Sequence, residues 1–87
     1  MKSKYILEKM ELDGEIVAVP VGENASELHA VLNLNEEAMR ILELLQQETT
    51  EDEIMDTLLK EYTGDPEEIR AYVRQFLKTL EEEGLLA

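Results

Sequence analysis

Residues 28–37, Leu28-His29-Ala30-Val31-Leu32-Asn33-Leu34-Asn35-Glu36-Glu37, read as a strand that runs directly into a capped helix. Leu28, Ala30, Leu32 and Leu34 share one face at the period of two that a half-buried strand requires. Asn35 stands where a helix N-cap belongs, and Glu36 and Glu37 follow in the first turn, where carboxylates favour the positive end of the helix dipole. Residues before this junction have strand character and residues after it have helix character. This one-way order narrows the fold to an antiparallel sheet with its helices segregated to one side.

Two further strands precede the junction. Tyr5 to Leu12 puts Ile6, Met10 and Leu12 on one face, interrupted by Glu8. Asp13-Gly14 is a two-residue hairpin signal, since both residue types tolerate positive φ. Glu15 to Val21 returns as a β-branched strand, with Pro20 expected near an end or an edge because it donates no ladder hydrogen bond. Residues 22–27 form a loop.

Three helices follow. Glu36 to about Gln47 carries Ala38, Ile41, Leu42 and Leu45 on one face. Thr50-Glu51-Asp52-Glu53 is a capping box opening a second helix that buries Ile54, Leu58 and Tyr62. Asp65-Pro66 opens the third, with Asp65 as cap and Pro66 at the first helical position. Gly84 ends it near Glu83, and Leu85 and Leu86 are placed to fold back on it. The expected class is therefore α+β: a three-stranded antiparallel sheet followed by three helices, the layout of a winged helix-turn-helix.

The chain has 87 residues, no cysteine and a formal net charge of −13. One small aliphatic core is all that such a length buries. The absence of cysteine removes disulfides, thiolate metal sites and thiol nucleophiles. The N-terminal apolar run is too short for a signal peptide, and no stretch has the ~20 apolar residues of a membrane span, so a cytoplasmic protein is expected. A charge of −13 repels phosphate backbones. No catalytic group, cofactor site or metal site is read from the sequence. His29 is the lone histidine, the carboxylates have no calcium-loop spacing, and the four glycines are isolated turn or cap residues.

Two features point instead to binding. On the third helix Ile69, Tyr72, Val73, Phe76, Leu77 and Leu80 form a wide apolar face, with Tyr72 and Leu77 on its opposite edges. Arg70, Arg74 and Lys78 follow one another beside it at spacings of four. Local pairing, such as Arg70 with Glu67, accounts for such a stripe. An acidic group on a partner is the other account. In a simple meander the third strand is an edge, and Ala30 to Leu34 has neither proline nor charge to block it. Such an edge accepts a peptide as an additional strand or pairs with a second copy.

Taken together, Val19-Pro20-Val21-Gly22, Val31-Leu32-Asn33-Leu34-Asn35-Glu36, Leu44-Leu45, Thr49-Thr50-Glu51-Asp52-Glu53-Ile54, Leu58-Leu59-Lys60-Glu61-Tyr62 and Val73-Arg74-Gln75-Phe76-Leu77-Lys78-Thr79-Leu80 ahead of Gly84-Leu85-Leu86 resemble the PqqD family, the pyrroloquinoline-quinone biosynthesis protein D and its relatives, the RiPP recognition elements. The resemblance spans nearly the whole chain and implies a single peptide-recognition domain over residues 1–87. It implies a non-enzymatic peptide chaperone. Such a protein binds the leader of a ribosomally made precursor peptide beside the third strand and along the third helix. It then presents the precursor to a modifying enzyme, often of the radical S-adenosylmethionine type. Carried over, the peptide-binding residues are Ala30, Val31, Leu32, Asn33 and Leu34 on the strand, and Tyr72, Val73, Phe76 and Leu77 on the helix with Arg70 and Arg74 at the rim. The chain departs from relatives at Ala30, where glycine is frequent. Gln46-Gln47-Glu48 stands where members devoted to pyrroloquinoline quinone carry an aromatic-glycine segment, which favours the broader family. A monomer is expected, with a dimer through the open edge as the variant. The alternative is a winged-helix DNA-binding regulator with the third helix as reader. The net charge and the acidic hairpin tip of Glu11, Asp13 and Glu15 oppose it.

Overall fold

The computed structural model describes residues 1–22 and 32–87, with Leu32 and Asn33 described by their backbone only. It is an α+β arrangement of an antiparallel sheet and three helices. Strands β1 (Ile6–Leu12) and β2 (Glu15–Val21) form a hairpin. At its tip Asp13 and Gly14 take φ of 52° and 82°, the two left-handed conformations of a type I′ turn. A short strand β3, Leu32–Leu34, pairs antiparallel with β2, Leu34 opposite Ile16 and Leu32 opposite Ala18. The order β1-β2-β3 leaves β2 in the centre. The expected start of the third strand, with His29, Ala30 and Val31, lies outside the described residues, as does most of the loop before it.

Helix α1 (Glu36–Leu44) begins where Asn35 Oδ1 accepts the Ala38 N–H at 2.8 Å. It ends before Gln47 because Gln46 turns back: its Nε2 donates to the Leu42 carbonyl, and its Oε1 accepts the Leu7 N–H at 3.2 Å. That donor is free because β1 is an outer strand of the sheet, so the N–H groups it does not aim at β2 have no strand to pair with. Helix α2 (Glu51–Glu61) is capped by Thr50, whose Oγ1 accepts from the Glu53 N–H. The box is completed differently from expectation, since the Glu53 carboxylate accepts from the Thr49 hydroxyl at 2.9 Å. Helix α3 (Pro66–Glu82) is capped by Asp65. At its far end Gly84, at φ 74°, lets the Leu85 N–H reach the Leu80 carbonyl at 2.9 Å and the Gly84 N–H reach Glu81 at 3.1 Å. This is a Schellman closure, and Leu85 buries beneath it. Residues 85–87 then pair with residues 2–4.

The core gathers Tyr5, Leu7 and Ala18 from the N-terminal segment and sheet, Ile41, Leu42 and Leu45 around α1, Ile54 and Leu58 from α2, and Val73, Leu77 and Leu80 from α3. One choice differs from the sequence pattern. Ile6, Met10 and Leu12, the more apolar face of β1, point away from the core, and Leu7 buries instead.

Arg40 on α1 grips Glu61 at the end of α2 with two donors, Nε to Oε1 at 2.8 Å and Nη2 to Oε2 at 2.9 Å. The hydrogen bond from Arg40 holds the Glu61 carboxyl below the usual carboxylate range. A lowered folded-state pKa contributes stability above the ordinary carboxylate value, and that contribution is lost as pH falls through the lowered one. Both partners are solvent-accessible, so the effect is small. Glu61→Gln is therefore expected to melt slightly earlier than the parent at pH 7 and together with it in acid. Thermal melts across pH check this. A gap that persists in acid would assign the loss to something other than the ion pair.

Candidate functional site

The free edge of the sheet and one flank of α3 meet at Asn35. Among the described residues β3 pairs with β2 and with no strand on its other side, so its outward backbone groups are available to a further strand. The opposite edge of the sheet is guarded differently, with the Gln46 side chain on the Leu7 N–H. Asn35 directly follows β3. Its Oδ1, besides capping α1, accepts a hydrogen bond from the Tyr72 hydroxyl of α3 at 3.0 Å. One carboxamide oxygen thus fixes the end of β3, the start of α1 and the flank of α3. A hydrogen bond of this kind is worth about 1 kcal/mol. Burial pushes the Tyr72 phenol up, and Glu37 adds to the rise. The hydroxyl therefore remains a donor at neutral pH.

One helical turn on from Tyr72, Phe76 stacks on it, rings nearly parallel (3°) with centroids 6.1 Å apart. Both rings are half-buried and rest on the core. They form an aromatic strip along α3 that starts at the end of β3. Beside Asn35 and Tyr72 opens a cavity of about 390 Å³, walled by Leu58, Tyr62 and Ile69 and carrying Glu37 and Glu68. Tyr62 is raised by burial and by the surrounding carboxylates, Glu37 first. Such walls receive an apolar side chain and disfavour an anionic one.

The structure does not bring all the expected residues together. Val73 and Leu77 are core residues, 0% and 5% exposed; the centre of the wide apolar face is spent on packing, and only its Tyr72–Phe76 edge is left accessible. The Leu34 side chain is half-buried against the core. Ala30 and Val31 lie outside the described residues, and the side chains of Leu32 and Asn33 are likewise not described. Arg70 and Arg74 leave α3 on the Leu77 flank, about 160° around the helix from Tyr72 at 100° per residue. They therefore do not share an edge with the aromatic strip. Arg70 donates to Glu67 at 2.8 Å, the local pairing that accounts for part of the stripe. Arg74 is exposed and forms no ion pair among the described residues. Asn35 was legible as a cap, but its bond to Tyr72 spans 37 positions and has no signature in local spacing.

The family model for coenzyme PQQ synthesis protein D (PqqD) matches residues 15–86. The chain belongs to the PqqD family. In this PqqD-family chain the match takes in β2, β3 and all three helices, and proteins of the family are recognition domains rather than catalysts. Among solved structures it is similar to TbiB1 in complex with the TbiA(beta) leader peptide, at 26% identity and a TM-score of 0.71, covering 99% of this chain and 94% of that one. No curated protein matches. Among the described residues of this PqqD-family chain the duplex-DNA alternative finds no support: the wing carries Glu11, Asp13 and Glu15, and Arg70 is engaged by Glu67. Among the described residues no helix is long and apolar enough to cross a membrane.

Proposed function

We infer that this chain binds the leader segment of a ribosomally synthesised precursor peptide by strand addition at the β3 edge, and presents the precursor to a modifying enzyme. The carrying observation is the β3 edge, unpaired among the described residues, that runs through the Asn35–Tyr72 bond onto the aromatic strip of α3. Likeness to TbiB1, a protein described with its leader peptide, supports the same reading. Main-chain hydrogen bonds to β3 supply register, and alternate leader side chains pack on Tyr72 and Phe76. Burying two or three apolar side chains contributes about 1.5–3 kcal/mol each before ordering costs. Net binding near −8 kcal/mol, about micromolar, follows.

The contact set begins, on the sequence, at Ala30 and Val31, continues along the backbone of Leu32, Asn33 and Leu34, and ends on Tyr72 and Phe76. Val73 and Leu77 lie in the core and stay outside that contact. Arg70 and Arg74, on the other flank, are left for a charged segment of the precursor or enzyme. The 87 residues act as one winged-helix-like recognition unit, monomeric and non-enzymatic. The enzyme served is of the radical S-adenosylmethionine type, and the compartment is the cytoplasm, where a ribosomal product is first available.

The test is a titration of the labelled protein with the leader of the precursor encoded beside it, against a scrambled leader and a mixed DNA duplex. Saturable binding of the true leader alone is expected, with amide shifts concentrated at Leu32–Leu34 and around Tyr72 and Phe76. Equal response to the scrambled peptide, or shifts confined elsewhere, would sink the assignment.

A further inference from the structure

The hairpin has a second side that the leader-binding reading does not use. Antiparallel partners directly opposite each other share a face. The register of Ile6 with Val21, Glu8 with Val19, Met10 with Val17 and Leu12 with Glu15 therefore defines the outer face of the sheet. Leu7, Ile16 and Ala18 occupy the inner face and pack on the core cluster. On the outer face Ile6, Met10 and Leu12 are 61%, 45% and 52% exposed. These are three of the four large hydrophobics that stand exposed among the described residues. Val19 and Val21 beside them are half-buried. Val17 is buried, yet it lies outside the core cluster. A chain with 33% charged residues has ample polar surface, so three exposed apolar side chains in line on one strand face mark an interaction surface.

Charge decides the occupant. Glu8 puts an exposed acidic side chain on this face, and Asp13 adds another at the turn. A second copy would set Glu8 against its own kind, within a pair of chains each carrying −13. An anionic surface is excluded on the same ground. We propose that the outer face of the β1–β2 hairpin is the docking surface for the modifying enzyme, and that it fits an apolar patch on that enzyme rimmed by lysine or arginine. This rests on the leader-recognition reading above and adds to it a division of labour. The β3 edge and the Tyr72–Phe76 strip hold the peptide, while the other side of the same sheet holds the enzyme, so both are bound at once.

The experiment uses the full chain carrying Ile6→Thr, Met10→Thr and Leu12→Thr together, since threonine keeps strand propensity while removing the apolar surface. Affinity for the modifying enzyme encoded beside the chain, affinity for the leader, and sedimentation are measured on parent and variant. The parent is expected to bind both; the variant is expected to lose about tenfold or more in enzyme affinity with unchanged leader affinity. Glu8→Lys is expected to weaken the enzyme complex most at low salt. An enzyme that binds parent and triple variant equally, or does not bind the parent, overturns the docking surface while leaving leader recognition standing. A parent dimer that the triple variant converts to monomer overturns it in favour of self-association. Enzyme affinity unchanged in Glu8→Lys overturns the basic rim. A leader that fails to bind the parent is instead the failure of the recognition reading itself.

Discussion

Truncating Leu77 to alanine is expected to lower the stability of the fold by about 2–5 kcal/mol and to leave the leader affinity of the folded protein unchanged. Leu77 lies at the edge of the apolar face of α3, beside the basic stripe, which makes it a natural contact residue on sequence grounds. In the fold it is 5% exposed and part of the same core cluster as Leu7, Ile41 and Ile54. Removing its isobutyl group leaves a cavity that the surrounding helices close only in part. Domains of this kind hold about 5–15 kcal/mol in total, so the loss is a large share. Urea unfolding gives the stability change, and leader titration in native buffer gives the affinity of what remains folded. Affinity that fell while stability held would return Leu77 to the binding surface and move the groove to the other flank of α3.

What the sequence could convey was local chemistry. The Asp13-Gly14 turn, the caps at Asn35, Thr50 and Asp65, and the closure at Gly84 are each set by a few neighbouring residues. The same neighbours act whatever the rest of the chain does. The inward line of each helix was legible for the same reason, since Ile41 and Leu42, Ile54 and Leu58, and Val73 and Leu80 recur at the helical repeat. What escaped is decided across the fold. On β1 both faces carry apolar residues, and counting them favours Ile6, Met10 and Leu12. The side that buries is the one where Tyr5 and Leu7 meet the core and Gln46 takes the Leu7 N–H. On α3 the spacing gave the width of the apolar face but not which edge would be left open. That choice is made by Tyr72 reaching Asn35, a contact between the start of one helix and the flank of another. The basic stripe illustrates the same limit. Its proximity to the apolar face suggested one shared rim, whereas the packing of Leu77 inward and Tyr72 outward puts Arg70 and Arg74 on the far side.

Phe76→Ala is expected to weaken leader binding about 30-fold, the equivalent of about 2 kcal/mol for one aromatic ring removed from a peptide-covered surface. The ring is half-buried in the free protein and already leans on the core, so some stability is lost as well. The loss is smaller than for Leu77→Ala, because part of the ring faces solvent before any peptide arrives. The two adjacent residues therefore give opposite patterns, one costing mainly stability and the other mainly affinity. Phe76→Leu separates bulk from aromaticity. It keeps an apolar surface but loses the parallel stack on Tyr72, and an intermediate affinity is expected. Tyr72→Phe keeps the stack and removes the hydroxyl bond to Asn35. Its effect on affinity is smaller, about fivefold at most for a single neutral hydrogen bond, and it acts by loosening α3 against the end of β3 rather than by removing peptide contact. Isothermal titration with all three variants orders them. If Phe76→Ala binds leader as well as the parent while remaining folded, the aromatic strip is not the peptide surface, and the β3 edge would have to act without it.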